Sequence, residues 1–203
     1  MIEYAVIIQA RLNSTRLPGK VLMDINGQRL IDRVIDNARE AIGHVIVATP
    51  DQEIADIAEE HNVLSFIGSE YDVLDRYYQA AKHFAVENLI RITADNPYIP
   101  PALINKLIEY HRRFRHLDWV SNCRLKTTYP IGVDAELVRF EALEIAWQEA
   151  IEAYDRESVT SYIYNHAEKF KLSVLENDID LSFIRLTVDT LQDLERVRML
   201  CTR

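Results

Sequence analysis

The run Tyr4-Ala5-Val6-Ile7-Ile8-Gln9 stays apolar until its last residue, with no polar alternation. A strand with one face in water would alternate. An unbroken run belongs to a strand covered on both faces, the situation of parallel sheets flanked by helices. The following segments keep that theme. Helical spacing is predicted from Leu30 to Ala41, with Ile31, Val34, Ile35 and Ala38 on one face, and a strand over His44–Thr49. Pro50-Asp51 opens a helix through Glu60, Val63–Phe66 is a short strand, Asp72–Phe84 a helix and Leu89–Thr93 a strand. Such alternation means βαβ units with right-handed crossovers. The rhythm then loosens. A helix near Ala102–Phe114 precedes Trp119-Val120, and a strand over Gly132–Val138 follows. Helices are expected at Glu141–Ile151 and Arg156–His166, strands at Lys171–Leu175 and Ser182–Val188, and a last helix from Leu191. The expected class is α/β: a three-layer α/β sandwich, Rossmann-like, with a mostly parallel central sheet and a mixed second half.

No repeat, low-complexity stretch or flexible linker divides the 203 residues, so one domain over 1–203 is expected. No apolar run reaches the ~18 residues of a membrane span. The N-terminus lacks a basic start and a cleavage site, which points to a cytoplasmic protein. Cys123 and Cys201 stand apart and form no metal motif, and no His spacing suggests ligands. A net charge of −9 argues against nucleic-acid backbones as partners. Against that acidic background, Arg11, Arg16 and Lys20 are gathered directly after the first strand.

Ligands of open α/β sheets bind beyond the carboxyl ends of the strands, so those ends carry the most information. After the first strand comes Gln9-Ala10-Arg11-Leu12-Asn13-Ser14-Thr15-Arg16-Leu17-Pro18-Gly19-Lys20. Cations, hydroxyls and a Pro-Gly turn are what a polyphosphate needs, though a solvated surface loop could have the same composition. The loop fits neither a P-loop nor a dinucleotide fingerprint. Two further strand ends carry Asp95 and Asp189. On one rim they would suit magnesium, which takes one or two carboxylates plus phosphate oxygens and water. Each has a local alternative: Asp95 before Asn96-Pro97 as a turn former, and Asp189 with Thr190 as a cap of the last helix.

Residues 7–22, and above all Gln9-Ala10-Arg11-x-Asn13-Ser14-Thr15-Arg16-Leu17-Pro18-Gly19-Lys20, resemble the opening signature of the cytidylyltransferases that make CMP-linked sugar acids. The wording is nearest the branch of spore-coat polysaccharide biosynthesis protein F. Thr93-Ala94-Asp95-Asn96-Pro97 and Val188-Asp189-Thr190-Leu191-Gln192-Asp193-Leu194 resemble the segments that carry the family's metal-binding aspartates, with Leu191 where Pro is common and Asn96 where the branch often has Cys. The resemblance implies a nucleotidyltransferase with a nucleotide-binding half (about 1–100) and an acceptor-binding and dimerisation half (about 101–203). It would move CMP from CTP to a sugar or sugar acid and release pyrophosphate. It further implies Mg2+ on Asp95 and Asp189, a homodimer, and a nucleotide site of Gln9, Ala10, Arg11, Arg16, Lys20 and Arg76, with Arg11 and Lys20 on the triphosphate.

For the acceptor the resemblance implies contacts from two more segments, which on the residues alone could equally be exposed strand charges and an acidic helix N-terminus. Tyr129-Pro130-Ile131-Gly132-Val133-Asp134-Ala135-Glu136 resembles the family's Gly-x-Asp-x-Glu, which nominates Tyr129, Asp134 and Glu136. Asp155-Arg156-Glu157-Ser158-Val159-Thr160 resembles Arg-Glu-His-Val-Thr, with Ser158 replacing His, and nominates Arg156 for a carboxylate. Two rivals remain on the residues alone. A glycosyltransferase of similar architecture generally needs an Asp-x-Asp, and a silent nucleotide- or sugar-binding protein would keep the cleft without chemistry.

Overall fold

The computed structural model describes residues 1–200, so Cys201 lies outside the described residues. Strands β1 (Ile2–Gln9), β2 (Val45–Thr49), β3 (Leu64–Ile67), β4 (Val86–Thr93), β5 (Trp119–Ser121), β6 (Glu136–Arg139) and β7 (Leu172–Val174) form one sheet in the order β3-β2-β1-β4-β6-β5-β7. Strands β3, β2, β1 and β4 are parallel, and β6 runs antiparallel between β4 and β5. The unbroken apolar run is the reason β1 is central: Tyr4 to Ile8 are all buried, and β1 has a parallel neighbour on each side.

Helices cover both faces. On one lie α1 (Leu30–Ala41), α2 (Gln52–Glu60) and α4 (Pro101–Arg113), whose apolar stripes meet Val6, Ile8, Ile90 and Ile92 of the sheet. The other carries α3 (Val73–His83), α5 (Phe140–Glu149) and the short α7 (Ser161–Asn165), packed on Ala5, Ile7, Leu89 and Trp119. Alternate residues of β1 thus serve opposite layers, as the pleat requires. Pro101 opens α4 at a position where its missing N–H has no partner to lose. A short helix α6 (Ala153–Ser158) precedes α7, and α8 (Leu191–Leu200) closes the described chain. No described helix is long and apolar enough to cross a membrane.

Three expected elements come out differently. Ser182–Val188 is not a strand. It touches the chain near Ile131 through Ile131 N–H to Ile184 O (2.8 Å) and Leu186 N–H to Ile131 O (2.7 Å), and goes no further. The next donors a ladder would need are already spent in turns: Val133 N–H goes to Pro130 O (3.0 Å) across Gly132 at φ +93°, and Ile184 N–H to Leu181 O (3.0 Å), so pairing stops on either side of Ile131. The same glycine delays β6 to Glu136 instead of Gly132. The helix expected over Arg156–His166 is split into α6 and α7, because Val159 sits at φ +69° with its side chain buried. The remaining elements stand within a few residues of their expected bounds.

A glycine comparison tests the junction between Gly132 and the C-terminal segment. A methyl on Gly132 would run into the backbone of Leu186 and Thr187, whereas one on Gly19 (φ +70°) meets nothing within 4 Å. Gly19→Ala should cost about 1–2 kcal/mol, the strain of a left-handed residue, and Gly132→Ala distinctly more. Urea unfolding that ranked the two equal would refute this account of the junction.

Candidate functional site

Register places the site. Gln9 and Thr93 are partners at the ends of β1 and β4, so the chain leaving each strand emerges side by side on one rim. Ala94 N–H donates to Gln9 O (3.0 Å) and extends the pairing one step beyond the strands. The loop after β1 is closed on itself by Gly19 N–H donating to Leu12 O (2.8 Å), and is tied to the chain after β2 by Leu12 N–H donating to Asp51 Oδ2 (2.8 Å). Leu17 is its anchor. It packs with Ile25, Leu30, Val188, Leu194 and Val197, fastening α8 to the first loop. Apolar contact therefore joins segments some 170 residues apart in sequence.

On that frame Lys20 is buried with its ammonium among three acceptors. It donates to Asp95 Oδ2 (2.7 Å), Asp189 Oδ1 (3.1 Å) and Val188 O (2.9 Å). Asp95 Oδ1 also accepts from Thr93 Oγ1 (2.5 Å), and its carbonyl accepts from Val188 N–H (2.9 Å) and Thr187 Oγ1 (3.2 Å). Asp189 takes Arg16 on Oδ1 and Arg185 on Oδ2, both at 2.7 Å. Asp189 is not the helix cap. Thr190 and Asp193 form that capping pair: Asp193 N–H donates to Thr190 Oγ1 (3.2 Å), and Asp193 Oδ2 accepts from Thr190 N–H (3.0 Å) and Asp189 N–H (3.2 Å). Burial opposes the charge on Asp193, but hydrogen bonds from Arg185, Thr190 and Arg196 win and hold its carboxyl well below the usual range. The capping work is done by other groups, so Asp189 is left facing the cleft.

Two cavities flank the cluster. One, of about 260 Å³, is lined by Gln9, Ala10, Arg11, Arg16, Lys20 and Arg76, with Glu157 across it. The other, of about 360 Å³, holds Arg91, Arg124, Asp134, Glu136 and Arg185. Arg16, Thr93, Asp95 and Asp189 line both and form the shared wall. In the first cavity Arg11 faces Glu157 at 3.5 Å. Arg76 is almost wholly buried. Its Nη1 donates to Ser69 O, its Nε has no partner, and burial together with the nearby Arg11 lowers its pKa. Arg11 and Arg76 thus stand close enough for their charges to oppose each other, which a bound anion would relieve.

The expected acceptor residues are dispersed. Asp134 lines the second cavity. Glu136 does too, but it is 1% exposed and its oxygens accept from Arg91 (2.6 Å), Trp119 Nε1 (3.0 Å) and Thr160 Oγ1 (2.6 Å). Removing one partner of such a buried pair typically costs about 3–5 kcal/mol, which marks Glu136 as the strut that holds Arg91. Tyr129 lines neither cavity, its ring sits in the core, and its hydroxyl accepts from Lys106 (3.2 Å). Arg156 also lies outside both. Its guanidinium does bind a carboxylate with two nitrogens, but the carboxylate is Asp72 at the start of α3, and Nη1 goes to Trp147 O (2.7 Å). That pairing ties α6 to α3, because Asp72 is exposed to α6 once α3 packs on the sheet.

The structure adds residues absent from the expected set. Arg91, Arg124 and Arg185 line the second cavity and Glu157 the first. Arg91 had a signal, a charge inside the apolar run Leu89-Ile90-Arg91-Ile92, and buried charges are rarely idle. Arg124 and Arg185 lie in irregular chain, where nothing in the pattern singles them out.

The family model described as cytidylyltransferase matches residues 5–202. The chain is 34% identical to the spore coat polysaccharide biosynthesis protein SpsF of Bacillus subtilis, over 98% of this chain and 87% of that protein. It is 37% identical to the 3-deoxy-manno-octulosonate cytidylyltransferase of Polynucleobacter necessarius, over 52% of this chain and 44% of the relative. The solved structure of a cytidylyltransferase from Leptospira borgpetersenii superposes with a TM-score of 0.93 at 28% identity, covering 98% of this chain and 86% of that one. The match spans nearly the whole chain: the chain belongs to the cytidylyltransferase family.

Proposed function

We propose that the enzyme transfers CMP from CTP to a hydroxyl of a sugar or sugar acid and releases pyrophosphate. The observation that carries this reading is the shared wall. Two cavities, each lined by cations and carboxylates, meet at Arg16, Thr93, Asp95 and Asp189, with Lys20 bridging the two aspartates from the first, as a reaction between a triphosphate and a second substrate requires. Arg11, Arg16, Arg76 and Lys20 would neutralise the triphosphate, and the backbone at Gln9-Ala10 would face the base. The names of the relatives support CTP as donor and a sugar acid as acceptor. Homodimer formation and a cytoplasmic location belong to the same proposal, on family resemblance.

The donor set fits magnesium. Asp95 and Asp189 approach closely enough for one ammonium to bridge them, so one divalent ion could be shared likewise. Among the described residues no cluster of three or more His, Cys, Asp or Glu forms a complete cage. The pair therefore suits an ion that completes its shell with phosphate oxygens and water. When bound, such an ion withdraws charge from the phosphates. The rest of the work falls to the chain. Lys20 and Arg11 take up charge on the leaving pyrophosphate, and the closed loop orients the α-phosphate toward the second cavity. Positioning and charge neutralisation of this kind need no covalent intermediate.

Two measurements test the proposal. CTP with magnesium at 100 times its dissociation constant should stabilise the protein by ~2.7 kcal/mol, with UTP, GTP and dTTP giving less, and Lys20→Met should abolish most of that shift. Equal shifts from all four nucleotides would contradict CTP as the donor. Asp95→Asn should lower pyrophosphate release from CTP plus acceptor about 100-fold or more. A normal rate would remove Asp95 from the metal site.

A further inference from the structure

Five carboxylates line the two cavities, and four of them are taken. Asp95 pairs with Lys20, Asp189 with Lys20, Arg16 and Arg185, Glu136 with Arg91, and Glu157 with Arg11. Of the five, Asp134 alone has no ion pair among the described residues. It lies in the second cavity, on the acceptor side of the shared wall, and belongs to the irregular segment just before β6.

Its backbone is held unusually firmly for a loop. Asn122 is fully buried, and its amide brackets Asp134: Nδ2 donates to Val133 O (2.6 Å) and Oδ1 accepts from Ala135 N–H (2.8 Å). One side chain thus fixes the peptide units on both sides of the carboxylate. Gly132 and Asn122 set the direction of the segment, and the wall residues set what it faces.

Resting on the transferase reading, we infer that Asp134 is the general base that takes the proton of the acceptor hydroxyl as it attacks CTP. The balance is simple. The acceptor oxygen forms a bond to the α-phosphorus while its proton passes to an Asp134 carboxylate oxygen. The bond from the α-phosphorus to the bridging oxygen breaks, and its electron pair leaves on pyrophosphate. Asp134 then returns the proton to water. A base needs a lone pair free of cations, within reach of the acceptor, and on the far side of the reacting phosphorus from the leaving group. Asp134 meets the first condition where the other four carboxylates do not, and its cavity meets the second.

Its protonation suits the task. Burial pushes its pKa up to about 6 against the pull of Arg124 and a backbone N–H from Gly132, and Asp95 and Glu136 reinforce the rise. The other ionisable groups around it are Arg91 from β4, Cys123 beside Arg124, Arg185 and Asp189 ahead of α8, and Arg16 from the first loop. All four arginines are already paired, Arg16 and Arg185 with Asp189 and Arg91 and Arg124 with Glu136, and burial pushes the Cys123 thiol up, so it stays protonated. The base form of Asp134 is therefore the one above its pKa, and the rate should rise with pH through about 6 and then level.

The test uses the full chain with saturating CTP and magnesium, and a panel of free sugars and sugar acids that includes 3-deoxy-manno-octulosonate. Pyrophosphate release gives kcat against pH, and calorimetry gives CTP affinity. Asp134→Asn should lower kcat about 100-fold or more and erase the acid limb, with CTP affinity unchanged, since Asp134 does not line the nucleotide cavity. Asp134→Glu should restore part of kcat together with an acid limb. An Asp134→Asn enzyme that kept the limb, or whose defect lay in acceptor KM with kcat intact, would overturn the base and leave the transferase standing. Were Asp134→Asn also to lose CTP affinity, Asp134→Glu would decide, because a folded Glu variant without an acid limb refutes the base. Failure of the wild type to release pyrophosphate with every acceptor would overturn the transferase reading and this inference with it.

Discussion

One buried ammonium holds the functional end of the molecule together. Lys20 reaches Asp95 at the end of β4 and Asp189 ahead of α8, and closes the ring by donating to the Val188 carbonyl. A charge so placed loses hydration, and the carboxylates repay it only because each is in turn fixed. Thr93 holds the Asp95 carboxylate while the Thr187 hydroxyl and Val188 N–H hold its carbonyl, and Arg16 and Arg185 hold Asp189. The arrangement explains why an acidic protein has a cation-lined cleft. Its carboxylates enter the cleft too, and four of the five there are paired with the cations gathered beside them.

The apolar framework makes that convergence possible. Parallel pairing of β1 and β4 with Gln9 opposite Thr93 brings two loops to one rim, and the small cluster around Leu17 brings in the third. Neither device resembles a catalytic motif. Both come from ordinary burial, which is non-directional and indifferent to sequence distance. Specificity enters through the hydrogen bonds laid over it.

The scaffold also consumes polar groups that look available in the chain. Glu136 and Arg156 have the chemistry of substrate ligands, yet Glu136 serves Arg91, Trp119 and Thr160, and Arg156 serves Asp72. A buried carboxylate or guanidinium without partners is costly, so a fold finds partners for it within the protein wherever it can. Asp134 escaped that fate because Asn122 satisfies the backbone around it and leaves the side chain to the cavity.

Much of the architecture was legible along the chain. The apolar run of β1, the 3.6-residue stripe of α1 and the βαβ rhythm are local patterns, and local patterns follow from propensity and burial. So was the loop from Gln9 to Lys20, because its cations are adjacent in sequence. Tertiary structure alone decided the rest. It showed that Ser182–Val188 is no strand, since turns at Gly132 and after Leu181 spend the N–H groups a ladder would need, and that Asp189 reaches the rim anyway through Val188 and the Leu17 cluster. It also separated paired from unpaired charges. Which carboxylate finds which cation depends on distances closed by the whole fold, and no spacing within a segment encodes them.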